Sequence, residues 1–343
     1  MNQEARTDDR RAAGASSLRH SLSSRRQFTR RAVIDVGTNS VKLLVADVAG
    51  HRVQPLWEDS TQTRLGRGFY ETHMLHPKAI EQTAEAVAEF AATAREWKAA
   101  SIHIFATSAA RDAVNAADLT SAIERASGLE VKIISGEQEA DWVFKGVTTD
   151  PGLARHPVLI LDVGGGSTEF ILGHGEHKDF RHSFPLGTVR LLEKLPHSDP
   201  PTAKELADCR DWLRHFLETE VRPKLEPSLR QEIGLNREHR PVLLVGTGGT
   251  TSILARMEAK LETYDRERIE ATRLSLERVR WHSEQLWSLP LAERKQIVGL
   301  PKKRADVILP GVAIYKAVME QFGFAELRVS TRGLRFAAVM DGT

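Results

Sequence analysis

Two stretches of the chain set out apolar and polar positions on the same plan. Val33, Ile34 and Val36 lead into Gly37-Thr38-Asn39-Ser40, and Val41, Leu43, Leu44 and Val45 follow. Leu159-Ile160-Leu161-Asp162 leads into Gly164-Gly165-Gly166-Ser167-Thr168, and Phe170-Ile171-Leu172 follow. Each reads as strand, tight turn, strand, rich in β-formers and bounded by turn residues. An Asp stands before the turn in both, Asp35 and Asp162. The repetition predicts two similar domains.

Strands and helices alternate through the rest. The pattern predicts a third strand over 52–62, a helix over 77–99 with Ile80, Ala84, Val87, Ala88 and Ala91 on one face, and strands over 102–105 and 131–134. Helices are expected from Ser108 and near Glu137. Pro151, Gly152 and Pro157 mark a linker before the second copy. That copy continues with a strand near 180–184, long helices over 202–229, a buried strand over 242–245, a helix over 306–322 and a short strand over 327–329. Such alternation, with a hairpin opening each half, implies an α/β fold with mixed sheets. The expected division is a tail over 1–30, domain I over 31–150 and domain II over 151–330.

Composition narrows the class. At 343 residues, the length fits about two domains. With 41% hydrophobic and 27% charged residues the chain is of ordinary globular type. No apolar run nears the ~20 residues that cross a bilayer. The one cysteine, Cys209, excludes an internal disulfide, reads as a core thiol and fits a reducing, cytoplasmic setting. The net charge of +2 conceals an asymmetry, because residues 1–31 hold eight Arg against Glu4, Asp8 and Asp9. This basic arm is expected to be disordered, and no specific nucleic-acid partner is assigned to it. Ser24-Arg25-Arg26-Gln27-Phe28-Thr29-Arg30 resembles a twin-arginine export motif, but Asp35, Asn39 and Lys42 interrupt the apolar stretch that export requires.

The turns carry the candidate chemistry. Gly37 and Gly164 to Gly166 allow close backbone approach, and successive N–H groups there form a concave nest for anions. Thr38, Asn39, Ser40, Ser167 and Thr168 add side-chain donors. Gly246-Thr247-Gly248-Gly249-Thr250 is a third anion loop, a buried strand running into a helix N-terminus. It is neither a Walker loop nor a dinucleotide fingerprint. Asp35, Asp162 and Glu169 stand beside these loops, and hard carboxylate oxygens next to phosphate suit Mg²⁺. Lys42 takes the place of Glu169 in the first copy; it either adds positive charge against phosphate or is a surface strand residue. His174, His177 and His182 lie near a turn at Gly175 and are not expected to form a ligand set.

Seven segments in order resemble the exopolyphosphatase/guanosine pentaphosphate phosphohydrolase family, within the actin-like (ribonuclease H-like) fold. They are Ile34 to Ser40, Ala106 to Ala113, Ile134 to Ala140, Asp162 to Glu169, Gly246 to Thr250, Ala305 to Gly311 and Arg332 to Arg335. The resemblance implies two similar domains with a central cleft, and a last segment, 331–343, that packs back on domain I. It implies a metal-dependent hydrolase that releases terminal phosphate from inorganic polyphosphate or guanosine pentaphosphate. Glu139, in Ser135-Gly136-Glu137-Gln138-Glu139-Ala140, would position the water, and Arg111 would meet a phosphate oxygen. The metal-linked acids match Asp162 and Glu169, the phosphate loops match Gly37 to Ser40 and Gly164 to Thr168, and Arg64 matches a position near the cleft. Gly248 and Gly249 join the phosphate-binding set through the third loop. One departure stands out: Asp141 occupies a position where the family usually has Arg. Without the resemblance, Glu139 reads as a first-turn carboxylate facing solvent.

Longer members carry further helical domains, so a long enclosed channel is not expected here unless a homodimer builds one. Two other classes compete with the hydrolase. A kinase of the same fold would need adenosine and acceptor pockets that the sequence does not display. A sensor would bind phosphate compounds without turnover.

Overall fold

The computed structural model describes residues 28–235 and 240–341. The remainder of the basic arm, residues 1–27, lies outside the described residues. Two lobes are each built on a mixed sheet. In the first, β1 (Thr29–Val36), β2 (Val41–Ala49), β3 (Arg52–Thr61), β4 (Ser101–Ala106) and β5 (Val131–Ile133) lie in the order β3-β2-β1-β4-β5. In the second, β6 (Val158–Val163), β7 (Thr168–His174), β8 (His177–Phe184), β9 (Leu243–Thr247), β10 (Arg273–Ser275) and β11 (Glu326–Val329) lie in the order β10-β11-β9-β6-β7-β8.

The repeat in sequence is a repeat in register. β1 pairs antiparallel with β2 and parallel with β4, just as β6 pairs antiparallel with β7 and parallel with β9. Asp35 faces Lys42 across the first hairpin, and Asp162 faces Glu169 across the second. The α/β architecture with mixed sheets follows the expected alternation.

Period-two alternation places both faces of the central strands in core. Ala32, Ile34 and Val36 of β1 face the outer helices of the first lobe, Pro77–Glu96 and Ala116–Ser127. Leu159, Leu161 and Val163 of β6 do the same in the second lobe. Val33, Leu44, Val158, Ile160 and Ile171 point instead into a shared middle layer. Two helices fill that layer, Gly136–Val147 and Leu334–Asp341. They meet at Gly146, where an added Cβ would lie 2.2 Å from the Gly333 carbonyl oxygen. Trp142 Nε1 donates to Asp341 at 2.6 Å and ties them. The last helix also packs on β1 and β2.

Several local expectations shift. β1 starts at Thr29, so Thr29 and Arg30 belong to the sheet instead of the basic tail; Arg30 Nε meets Asp47 at 2.9 Å. The Pro151 linker contains a helical turn, Pro151–Ala154, capped by Asp150. The long helices run from Ala203 to Leu235 through a π-helical turn at Leu217–Val221, beyond the expected end at 229. β10 and the helix Leu276–Ser288 went unread in the sequence, since Arg273-Leu274-Ser275 is too short to show a period. No helix among the described residues is long and apolar enough to cross a membrane.

Candidate active site

The two hairpin turns close by the same bond: Gly37 N–H donates to the Ser40 carbonyl at 3.1 Å, and Gly164 N–H to that of Ser167 at 2.9 Å. This leaves the inner N–H groups of Thr38, Asn39 and Ser40, and of Gly165, Gly166 and Ser167, without backbone acceptors among the described residues. The turns face one another closely. A Cβ on Gly165 would lie 2.9 Å from Thr38 Cβ, and one on Gly166 only 2.2 Å from the Tyr70 hydroxyl and 2.4 Å from Ser108 Oγ. Buried polar atoms collect here: Asn39 Nδ2 has no hydrogen-bond partner among the described residues, and the Tyr70 hydroxyl lies against Ser108 and Thr38. Orphaned donors at such a place are costly unless a ligand meets them. Thr168 sits deeper, its hydroxyl donating to the Leu186 carbonyl, so it supports the turn from behind.

The third loop adjoins the same point. Gly248 has φ +84, and a Cβ there would fall 2.3 Å from Asp162 Oδ1, so only glycine lets the helix Gly248–Glu258 start beside that carboxylate. Gly249 lies against Arg304, whose Nη1 donates to Ser40 Oγ at 3.0 Å. Arg304 thus bridges the third loop and the first turn.

Glu139 stands in the first turn of the helix Gly136–Val147, whose N-cap Ser135 accepts from Gln138 N–H at 3.1 Å. The helix start presses on β8: a Cβ on Gly136 would lie 2.7 Å from Ser183 Cβ. That contact turns Glu139 inward, and it is 8% exposed, not solvent-facing. Arg111 Nη1 donates to Glu139 Oε2 at 3.0 Å and to the Ile134 carbonyl at 3.1 Å. Glu169 Oε1 accepts from Ser167 Oγ at 2.8 Å and Ser183 Oγ at 2.7 Å. Asp35 is buried, with Lys42 Nζ 3.8 Å away. Lys42 therefore belongs to the acidic group instead of the open surface.

Burial dominates the protonation of Glu139, Asp162 and Glu169. It pushes the Glu139 carboxyl well above the ordinary range, and the Glu169 charge adds to that while Arg111 opposes it. Burial likewise raises Asp162 to about 6, against the attraction of Lys42, and Glu169 to about 7, with Asp162 adding. A raised folded-state value means the folded protein binds the proton more tightly than the unfolded one. The stabilisation is full below about pH 4 and is lost as pH rises through 6 to 7. The melting temperature of the metal-free protein is therefore expected to fall across that window more steeply than that of an Asp162→Asn/Glu169→Gln double variant. Parallel curves would contradict it.

Arg64 lies near the cleft. Its guanidinium pairs with Asp306 at 2.8 Å, and its backbone N–H donates to the Asn39 carbonyl at 3.1 Å. It lines the cleft mouth with Asn39 and Asp306. Asp141 has its own partners, since Arg181 Nη1 meets both its oxygens at 2.6 and 2.7 Å and Lys178 Nζ lies at 2.7 Å. β8 thus returns the positive charge that this position lacks.

Four contributors were not singled out for the site in sequence: Tyr70, Ser108, Ser183 and Arg190. Arg190 Nε donates to the Gly166 carbonyl at 2.8 Å, its Nη2 reaches Asp112 at 3.0 Å, and its guanidinium lies 4.1 Å from the Tyr70 ring centroid. Only Ser108, inside the segment Ala106 to Ala113, carried any signal. Arg304 was visible as a basic residue only.

The profile of the Ppx/GppA phosphatase family matches residues 44–341. Exopolyphosphatase 2 of Mycobacterium tuberculosis is 34% identical over 320 residues, which cover 88% of this chain and 95% of that protein. Among solved structures, the PPX-GPPA enzyme of Aquifex aeolicus is similar at 30% identity and a TM-score of 0.72, covering 92% of this chain and 99% of that one. An exopolyphosphatase from Cytophaga hutchinsonii reaches a TM-score of 0.78 at 27% identity, with 92% and 99% covered. Fold and likeness together define a phosphoanhydride hydrolase with the actin-like architecture. The chain belongs to the Ppx/GppA phosphatase family.

Proposed function

We propose that this enzyme releases the terminal phosphate of inorganic polyphosphate, with Glu139 positioning and deprotonating the attacking water. The observation that carries the reading is the meeting of two outward-facing N–H nests with Glu139, Glu169 and Asp162 at one buried point. A terminal phosphoryl group spreads charge over its oxygens as it transfers, so catalysis consists mainly of placed donors, neutralising charge and one oriented water. The nests, Asn39 Nδ2 and the Ser108 and Tyr70 hydroxyls supply donors. Arg111 is held against Glu139 and favours its ionised form, which a base requires.

The acids also fit a hard divalent cation. The Asp162 and Glu169 carboxyls, held this far above their ordinary range, are short of positive charge, and with the buried Asp35 beside them they would hold Mg²⁺. When bound, the ion would neutralise charge on the phosphate and on these acids. Asp162→Asn and Glu169→Gln are each expected to raise the Mg²⁺ concentration giving half-maximal phosphate release by about tenfold or more. This estimate takes a lost carboxylate contact to be worth at least ~1.4 kcal/mol. An unchanged titration in both variants would assign these residues to structure alone.

Guanosine pentaphosphate ends in the same phosphoanhydride and is the second substrate of this reading. The deciding experiment measures Mg²⁺-dependent phosphate release from polyphosphates of several lengths, with guanosine pentaphosphate alongside and no acceptor added. Release from polyphosphate supports the reading. Binding without release would favour a sensor, and release only with an acceptor present a kinase.

A further inference from the structure

A second group of metal-ligating side chains lies at the far end of the second lobe. β7 ends at His174, and a turn at Gly175 carries the chain into β8 at His177. The pairing of β7 with β8 shifts register between Leu172 and Gly173, and a Cβ on Gly173 would lie 2.2 Å from the His177 carbonyl oxygen. Such a bulge re-aims the side chains beyond it. Here the hairpin end lies beside Glu232 of the helix Arg222–Leu235. One ligand atom each from His174, Asp179 and Glu232 falls within 4.8 Å of the other two. His174 Nδ1 lies 3.7 Å from Glu232 Oε1. His177 Nε2 lies 3.1 Å from Asp179 Oδ1.

Glu232 gives the group its meaning. It is 8% exposed, and its ion-pair partner among the described residues is the His174 imidazole, 3.7 Å from Oε1. A buried carboxylate that faces an imidazole and a second carboxylate, all within 4.8 Å, is a place for a cation.

We propose that His174, Asp179 and Glu232 bind a divalent transition-metal ion of the zinc type, and that His177 holds the Asp179 carboxylate from outside. Two carboxylates balance the ion's charge, and the imidazole favours zinc over Mg²⁺ or Ca²⁺. The ligand atoms stand slightly wider than the ~3.3 Å edge of a tetrahedron with ~2.0–2.1 Å bonds, so exposed His174 and Asp179 need only small rotations. The site is separate from the catalytic acids: His174 lies five residues along β7 from Glu169, roughly 16 Å at 3.3 Å per residue. The ion would staple the β7–β8 hairpin to the helix beneath it. His182, the third histidine of the run, takes no part and packs on Phe184 with ring centroids 4.4 Å apart.

The test titrates Zn²⁺ into the full chain by calorimetry, with excess Mg²⁺ present to occupy the catalytic acids. One Zn²⁺ is expected to bind. His174→Ala and Glu232→Gln should each weaken binding about a hundredfold or more, and His177→Ala about tenfold, as loss of an outer partner does. Zn²⁺ at a hundredfold excess over its dissociation constant should raise the melting temperature of the unaltered protein by on the order of 5 °C. It should leave that of the His174→Ala variant unchanged. His174 is exposed and remote from the cleft, so its variant should fold and retain Mg²⁺-dependent phosphate release. Absence of Zn²⁺ binding to the unaltered chain would overturn the proposal. So would binding that survives both His174→Ala and Glu232→Gln, or binding abolished only by Asp162→Asn.

Discussion

Glu139→Gln leaves polyphosphate bound and turnover lost. The amide keeps the shape of the side chain and can still accept from Arg111 Nη1, now 3.0 Å from Glu139 Oε2. It cannot take a proton from water. Loss of a general base lowers rates by about a hundred- to ten-thousandfold. The fall should appear in kcat, with the apparent affinity for polyphosphate within a few-fold of the parent. Removing a buried charge whose carboxyl is already pushed up should also leave the fold intact or slightly stabilised near neutrality. Phosphate release within threefold of the parent would remove Glu139 from the chemistry. The unaltered enzyme should show an acid limb that follows ionisation of Glu139, and this limb should move to lower pH as Mg²⁺ is raised. A limb insensitive to Mg²⁺ would separate the base from the metal.

The second large effect is steric. Gly166→Ala places a methyl 2.2 Å from the Tyr70 hydroxyl, 2.4 Å from Ser108 Oγ and 3.0 Å from Thr38 Oγ1. Those groups are buried, so the second turn must retreat from the first. Retreat by about 1 Å at a site that works by positioning costs about a hundredfold. We expect kcat/KM to fall by that order while the melting temperature moves by only a few degrees. Gly166 is not in a left-handed conformation, so alanine adds no backbone strain there. A variant within threefold of the parent would mean that the two turns do not act together.

What could be read early was whatever local chemistry determines. The hairpins were legible because Gly37, Asn39 and Gly164 to Gly166 are turn residues between β-rich runs, and the duplicated Asp made the pairing plain. The burial of Glu139 was not, because it depends on the fit of Gly136 against Ser183, 47 positions on in the sequence. Tyr70 and Arg190 escaped for the same reason: each acts across the cleft, through partners that no spacing in the chain announces. The Arg64 motif was legible, and Asp306, far along the chain, holds its guanidinium at the cleft mouth. The Asp141 departure looked like a loss of positive charge until Lys178 and Arg181 were seen to restore it from the neighbouring strand.

The middle layer has a thermodynamic consequence. Val33 and Leu44 of one sheet and Val158 and Ile160 of the other contribute to a single apolar body, closed by the helix Leu334–Asp341. Neither half owns a complete interior, although each carries its own copy of the repeated hairpin. Unfolding one would expose the inner face of the other, so the halves are coupled as if they were one cooperative unit. The duplication that gave the enzyme two facing turns left the two halves sharing one middle layer. Any opening of the jaws must pivot on this layer and be small at the back, where the acids sit, and larger at the rim.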